Sequence, residues 1–179
     1  EKGMANFFKE RHAKLIWANE MTWLFKGEAD AARQGLIDRV LYVSEFQKEF
    51  FKDVYTGVDS RIVGNYVDDE WFPWIRRRNE VFTIGRLSRA DPTKYPEDFP
   101  VFYEELGLRD FDCKFRVMAW SEALAKKYDW HDFGPQWEFL PALKESARDF
   151  LYSLDVFVYP LGHLFKESWG RSTVEAMLT

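Results

Sequence analysis

The 179 residues are 46% apolar and 31% charged, with a net charge of -5. That balance fits a globular chain with room for one core, or for one domain and a fragment of another. An acidic chain with only a short basic run excludes a broad nucleic-acid surface, because tracking phosphates needs concentrated positive charge over a wide area.

No stretch approaches the roughly 18 apolar residues of a membrane span, and no signal peptide opens the chain. The single cysteine, Cys113, excludes an intrachain disulfide and fits a reducing cytoplasm. It lies among Phe111, Lys114 and Phe115 at the start of a predicted strand and reads as a structural thiol. Arg76, Arg77 and Arg78 read as solvated linker, with a patch facing anionic lipid as the alternative. A cytoplasmic location, with peripheral contact to the inner face of a membrane, is compatible with both. Aromatics reach 18%, enough for a bulky core with some surplus for a cleft or interface. The opening at Glu1 and the close at Thr179, inside a helical pattern, read as a cut-down chain.

In chain order, Leu15 to Ala18 is a short apolar run followed by a polar, Trp-containing stretch. Leu36 to Val43 reads as a mostly buried strand. Ser44 with Gln47 three residues on matches a capping box, so a helix is expected there, with Phe46, Phe50 and Phe51 on its apolar face. From Asp53 to Glu80, Gly, Asp and Pro occur with no clear period, as in an interdomain connection.

From Val81 the pattern turns regular. VFTIG is a strand ending on Gly85. PEDFPVFYEELG is a helix with Phe102 and Leu106 four apart, closed by Gly107. KFRVMAW is a second strand, SEALAKKY a short helix capped by Ser121, and WEFLP a third strand. LKESARDFLYSL is an amphipathic helix with Leu143, Ala147, Phe150, Leu151 and Leu154 on one stripe. DVFVYP is a fourth strand, and STVEAML begins a last helix. Strands alternating with helices at this spacing predict a Rossmann-like α/β fold, a parallel sheet with helices on both faces.

Ligands of open parallel sheets bind outside the carboxyl ends of the strands, so the loops there carry the functional argument. After the first strand, Gly85 permits a sharp turn, Arg86 stands at the strand end, and Lys94 follows in the loop. Two such cations suit a diphosphate; loop charges solvated near Asp91 and Glu97 are the plain alternative. After the third strand, Leu140 and Pro141 offer backbone groups and apolar surface to a flat base, or simply end a core strand. After the fourth, Glu167 and Glu175 flank Gly170. A helix starting near Arg171 or Ser172 would aim backbone N–H groups at a phosphate, and Gly170 would let a ligand approach the backbone. Glu175, one turn into that helix, fits a ribose diol, and Glu167, in the loop before it, a sugar hydroxyl. The alternative is that Glu175 stabilises the helical turn and Glu167 is solvated.

Taken together, ESWGRSTVEA, with two glutamates eight residues apart, and GRLSRADPTK resemble the donor-binding half of the family 4 retaining glycosyltransferases (glycosyl transferases group 1), which have the GT-B fold. LIDRVLYVSEFQKEFF is similar to the closing strand and helix of that family's N-terminal domain, and GNYVDDEWFP to its interdomain loop. Ser168 and Trp169 replace the family's usual Gly and Phe, and Lys94 stands eight residues after Arg86, a longer spacing than the commonest. None of His12, His131 and His163 has the context of the family's histidine near the donor sugar; His163 alone falls near the glutamate loop.

The resemblance implies that residues 1–63 are the tail of an acceptor-side domain with its connection. Residues 64–179 would be a nucleotide-sugar-binding domain, truncated at its C-terminus. It implies a hexosyltransferase that moves a sugar from a nucleotide-sugar to a hydroxyl of a glycan, lipid-linked or small-molecule acceptor, with retention and without metal or other cofactor. Arg86, Lys94 and Glu167 would be catalytic. Gly85, Leu140, Pro141, Ser168, Trp169, Gly170, Arg171, Ser172 and Glu175 would bind the donor. The stretch by itself would be inactive. A non-catalytic nucleotide-binding or nucleotide-sugar-binding module is the alternative.

Overall fold

The computed structural model describes residues 2–75, 79–106 and 112–179. Arg76, Arg77, Arg78, Gly107 and Phe111 lie outside the described residues. The chain forms two compact units: residues 1–66 with 166–170, and residues 67–165 with 171–179.

The first unit contains α1 (Lys2–Lys9), β1 (Ile16–Ala18), α2 (Glu28–Arg33), β2 (Arg39–Tyr42), α3 (Glu45–Phe50) and β3 (Asp59–Ile62). Its strands form a parallel sheet in the order β1-β2-β3. Val40, Tyr42, Ile37, Phe51 and Tyr55 make its core.

Two sequence expectations fail here. β3 lies inside the stretch read as connection. Its residues Asp59, Ser60 and Arg61 are polar or charged and it pairs on one side only, so no apolar run betrays it. The buried side of α3 is also not the predicted one: Phe46 and Phe50 are half exposed, while Gln47 and Phe51 are buried. Gln47, at 0% exposure, takes an apolar residue's place because its amide is satisfied. It donates to the carbonyls of Asn19 and Met21 and accepts from the Val43 N–H at 2.9 Å. Ser44 caps α3 by accepting from the Gln47 N–H at 3.1 Å. The reciprocal side-chain bond of a capping box would go to the Ser44 N–H; in this helix it goes one residue earlier, to Val43.

The second unit contains β4 (Phe82–Leu87), α4 (Phe99–Leu106), β5 (Cys113–Met118), α5 (Glu122–Lys127), β6 (Trp137–Leu140), α6 (Ala147–Tyr152), β7 (Val156–Phe157) and α7 (Arg171–Met177). All four strands are parallel, in the order β6-β5-β4-β7. This is the predicted α/β architecture, a parallel sheet flanked by helices.

Alternation along β5 divides the core between two faces. Phe115 and Val117 pack with Phe99 and Tyr103 of α4, with Leu124 of α5 and with Tyr128, the residue that follows α5. Met118 packs with Phe150 and Leu151 of α6 and with Ala176 of α7. Full burial of each of Phe99, Phe115 and Phe150 contributes about 1.5–3 kcal/mol relative to exposure. Cys113 is half-buried against the α4–α5 face. Burial and the nearby Asp112 raise its pKa, which keeps it a protonated thiol.

α6 begins later than the periodicity suggests. Ser146 is its cap, accepting from the Asp149 N–H at 3.0 Å. Leu143 instead sits in a left-handed turn, φ 61, and is 92% exposed. Among the described residues, no helix is long and apolar enough to cross a membrane.

Gly85 is not where β4 ends. The strand runs on to Leu87, and Gly85 is absent from the positive-φ glycines. Its smallness serves packing: a Cβ there would meet Leu154 Cδ2 at 2.4 Å and the Arg116 carbonyl at 2.9 Å. Gly85→Ala is expected to destabilise the protein by about 1–3 kcal/mol, with only partial recovery in a Leu154→Ala background, since the Arg116 backbone remains. Denaturant melts of the single and double variants check this; wild-type stability in Gly85→Ala would contradict it.

On the α6 face of the same sheet, Arg116 donates to Glu138 at 2.6 Å and to Glu145 at 2.7 Å, and Lys114 reaches Glu138 at 2.8 Å. Burial alone would raise the Glu138 pKa, but the bonds from Arg116 and Lys114 outweigh it and hold the carboxyl below its ordinary 4.5. A depressed carboxylate stabilises the fold fully above pH 4.5, and that stabilisation is lost as pH falls through the lower folded value. Glu138→Gln is therefore expected to cost roughly 1–3 kcal/mol near pH 7, with the gap to wild type closing as pH falls below 4.5 and through the depressed folded value. A gap of constant size across that range would show that Glu138 does not act through its charge.

Candidate functional site

β4 and β7 are adjacent in the sheet, and the loops that leave their carboxyl ends face each other. The loop after β4 contains a 3-10 turn, Pro92–Lys94, capped by Asp91. Hydrogen bonds to Asp91 from the side chain and N–H of Thr93 outweigh its partial burial and lower its pKa. The loop after β7 is held against this turn by the Gly162 N–H, which donates to the Lys94 carbonyl at 3.1 Å. Only glycine fits at 162, since a Cβ would lie 2.3 Å from the Thr93 carbonyl. Between the loops opens a pocket of about 320 Å³, lined in part by Thr93, Tyr95, Glu97, Lys127, His163 and Leu164. This is where an open parallel sheet takes its ligand.

Both cations expected at this strand end are there, and neither is a solvated loop charge. Arg86 is 0% exposed and Lys94 6%. Arg86 is the penultimate residue of β4 rather than part of the loop. Its guanidinium donates to the carbonyls of Pro160 and Lys94, one in each loop. It lies 4.0 Å from the ring centre of Tyr95 and 4.5 Å from that of Tyr159, so π faces take up part of its charge. Among the described residues, no carboxylate pairs with it. Lys94 donates to the Tyr159 hydroxyl at 3.1 Å and stands 4.5 Å from the Phe165 ring centre. Tyr159 therefore covers Arg86 and bonds Lys94 at once. Nothing in the sequence marked it beyond its place at the end of an apolar run.

The third strand's end differs from the expectation of free backbone groups at both of its residues. The Leu140 carbonyl is not free: it accepts from the Trp120 N–H at 2.9 Å. Pro141 follows it, exposed, and its carbonyl accepts from the Lys144 N–H.

The glutamate motif is divided between the units. α7 begins at Arg171, as expected, and Gly170 before it has φ 75, a conformation that favours glycine. Ser172 lies in its first turn, and Glu175 accepts from Arg171 one turn earlier at 2.9 Å. Residues 166–170, with Glu167, Ser168 and Trp169, cluster with the first unit. There the Thr22 hydroxyl donates to the Lys166 carbonyl at 3.0 Å and the Ser44 hydroxyl to the Ser168 carbonyl at 2.6 Å. The Ser168 hydroxyl donates to the Glu20 carbonyl.

Of the histidines, His131 bonds Glu104 at 3.0 Å, and His12 sits in a left-handed turn, φ 55. His163 lines the pocket. Lys127, which the sequence gave no reason to choose, donates to the Pro92 and Tyr95 carbonyls and pairs with Glu97 at 2.8 Å, bracing one wall. Among the described residues, no group of three or more His, Cys, Asp or Glu stands ready to hold a metal ion.

No protein-family model matches the chain, and no curated protein matches it in sequence. Solved structures do match it in fold. A glycosyltransferase from Rickettsia africae ESF-5 superposes with a TM-score of 0.69 at 12% identity, over 99% of this chain and 58% of that one. Sucrose-phosphate synthase from Thermosynechococcus elongatus gives 0.67 at 12% identity, over 96% of this chain and 50% of that one. A Gly-to-Arg mutant of S. aureus TarM, in complex with fondaparinux, alpha-GlcNAc-glycerol and UDP, gives 0.66 at 16% identity, over 97% of this chain and 38% of that one. The chain thus spans between 38% and 58% of the length of these structures, and its fold is that of a GT-B glycosyltransferase fragment.

Proposed function

We propose that this chain carries the donor-binding half of a retaining, metal-independent glycosyltransferase that moves a sugar from a nucleotide-sugar to a hydroxyl acceptor. The observation that carries the reading is Arg86. A buried guanidinium with carbonyls, rings and the Ser88 hydroxyl about it but no carboxylate among the described residues, at the carboxyl end of a parallel strand, leaves positive charge for an anion to meet. A diphosphate has the matching charge, and UDP is a ligand of TarM, which shares the fold.

In this reading Lys94 meets the diphosphate while Arg86 holds the two loops and adds its field from behind Tyr159. Glu175 takes the ribose diol, with Arg171 and Ser172 beside it. Leu140 and Pro141 flank the base, and Glu167 holds the sugar. The acceptor oxygen bonds to the anomeric carbon as the bond from that carbon to the diphosphate breaks. The electron pair leaves with the nucleoside diphosphate, and a phosphate oxygen takes the acceptor's proton. The cations stabilise the charge growing on the leaving group, the part a divalent metal plays in other transferases.

A panel of UDP-, GDP- and ADP-sugars tested by thermal shift on the intact protein should include at least one stabilising donor. Lys94→Ala should then lower kcat more than it raises KM, because its contact strengthens as the leaving group gains charge. Arg86→Lys, which keeps the charge but not the fork that spans both carbonyls, should lose stability as well as turnover. EDTA should leave transfer intact. Glu175→Ala should weaken the nucleoside diphosphate and the nucleotide-sugar alike, by about ten- to a hundredfold. Glu167→Ala should leave the diphosphate unaffected yet impair transfer. Calorimetry with both ligands decides between them: equal loss of diphosphate affinity in the two variants, or strict dependence on Mg²⁺ or Mn²⁺, would rule out this division of roles.

A further inference from the structure

The two carbonyls that flank Glu167 are both held from elsewhere in the first unit. Lys166, before it, accepts from the Thr22 hydroxyl, and Ser168, after it, accepts from the Ser44 hydroxyl. Neither donor belongs to a loose segment. Ser44 is the cap of α3, and its oxygen also accepts from the Gln47 N–H. The stretch around Thr22 is fastened on both sides. Gln47 donates to the carbonyls of Asn19 and Met21. Asn19, itself buried, donates to the buried carboxylate of Glu28 at 3.0 Å and to the Trp23 carbonyl at 3.0 Å. A carboxylate that orients a sugar needs its backbone fixed to a fraction of an ångström, and that precision comes from supporting hydrogen bonds on rigid elements.

We infer that Ser44 and Thr22 are positioning residues: their hydroxyls clamp the carbonyls of Lys166 and Ser168, the residues on either side of Glu167, and so fix its carboxylate for the donor sugar. The inference rests on the role proposed for Glu167. It gives the polar network around Gln47 a use beyond the stability of the first unit, since that network is the anchor of the clamp.

Capping and clamping can be separated at Ser44. Ser44→Asp keeps an N-cap acceptor as good as serine, but an ionised carboxylate has no proton to give the Ser168 carbonyl. Ser44→Thr keeps both functions. At Thr22, Val removes the hydroxyl with little change of shape, and Ser restores it.

Two readouts in the intact protein apply. The first is the rate of tryptic cleavage after Lys166, followed by mass spectrometry in the native state, which tracks local opening of the loop. Ser44→Asp and Thr22→Val should raise it several-fold; Ser44→Thr and Thr22→Ser should not. Cleavage after Lys52, just beyond α3, should stay constant in all four and so report an intact cap. The second is transfer from the stabilising donor of the panel above. The clamp-breaking variants should lower kcat by about tenfold while the affinity for the nucleoside diphosphate stays unchanged. In a Glu167→Ala background they should cost little more.

Unchanged cleavage after Lys166 would overturn the clamp. Faster cleavage with full transfer, or with losses that simply multiply those of Glu167→Ala, would overturn the positioning role. If no donor of the panel binds or reacts, the function reading falls and takes the role of Glu167 with it. The cleavage rates alone still decide whether the clamp exists.

Discussion

One side chain organises the carboxyl edge of the second sheet. Arg86 reaches out from β4 with two parallel-facing donors, and the two acceptors it finds, the Lys94 and Pro160 carbonyls, belong to different loops. Neither loop has regular structure to hold it beyond a three-residue turn. Without that fork their polar backbone would have to find other partners or open to water. The same fork explains why the Gly162 N–H can dock on Lys94, why Tyr159 can lie over the guanidinium, and why a pocket remains between the loops. A lysine would offer a point charge and could not span both acceptors in a plane.

Arg86 is held in that position from below. β4 can sit close to the turn between α6 and β7 because Gly85 leaves room for Leu154, and Asp155, directly before β7, accepts from the Thr83 N–H at 2.8 Å. These contacts fix the height of β4 relative to β7. A side chain at residue 85 would press on the next element and shift the residue that carries the charge. Gly85 therefore matters to the site through packing rather than through a turn. Interiors at close-packed density transmit such displacements instead of absorbing them.

The first unit solves a different problem, anchoring a long polar stretch between β1 and α2. It does so with buried polar side chains. Glu28 accepts from the Trp17 indole at 2.8 Å, from Asn19 at 3.0 Å, from the Phe25 N–H at 2.7 Å and from the Tyr55 hydroxyl. Burial, reinforced by that carboxylate, raises the Tyr55 pKa far above its ordinary value, so the phenol stays a donor. Such a network is costly if half satisfied and specifying if complete; among the described residues no buried side-chain polar atom lacks a partner. Its consequence for the candidate site is that residues 166–170 have a rigid surface within their own unit on which to rest.

The sequence by itself determined the second unit's architecture. Four apolar runs alternate with helical stripes there, so periodicity alone placed β4, β5, β6 and β7, and Ser121 and Ser44 were readable as caps because capping is local chemistry. The same local reading placed Arg86 and Lys94 after the first strand's apolar run and the start of the last helix between Glu167 and Glu175. Tertiary structure decided what periodicity cannot carry. β3 is a strand because β2 offers it a ladder, not because Asp59, Ser60 and Arg61 prefer one. Gln47 is buried because three backbone groups outside its own helix satisfy it, while Phe46 and Phe50 stay half exposed. Leu143 is left outside α6 because Ser146 caps the helix after it. The bond from Arg86 to Pro160 spans 74 residues of chain, and the bonds that seat the Glu167 loop on Ser44 and Thr22 span 124 and 144. Hydrogen bonds at such separations leave no pattern in a local window, because the residues that make them are chosen by the fold that brings them together.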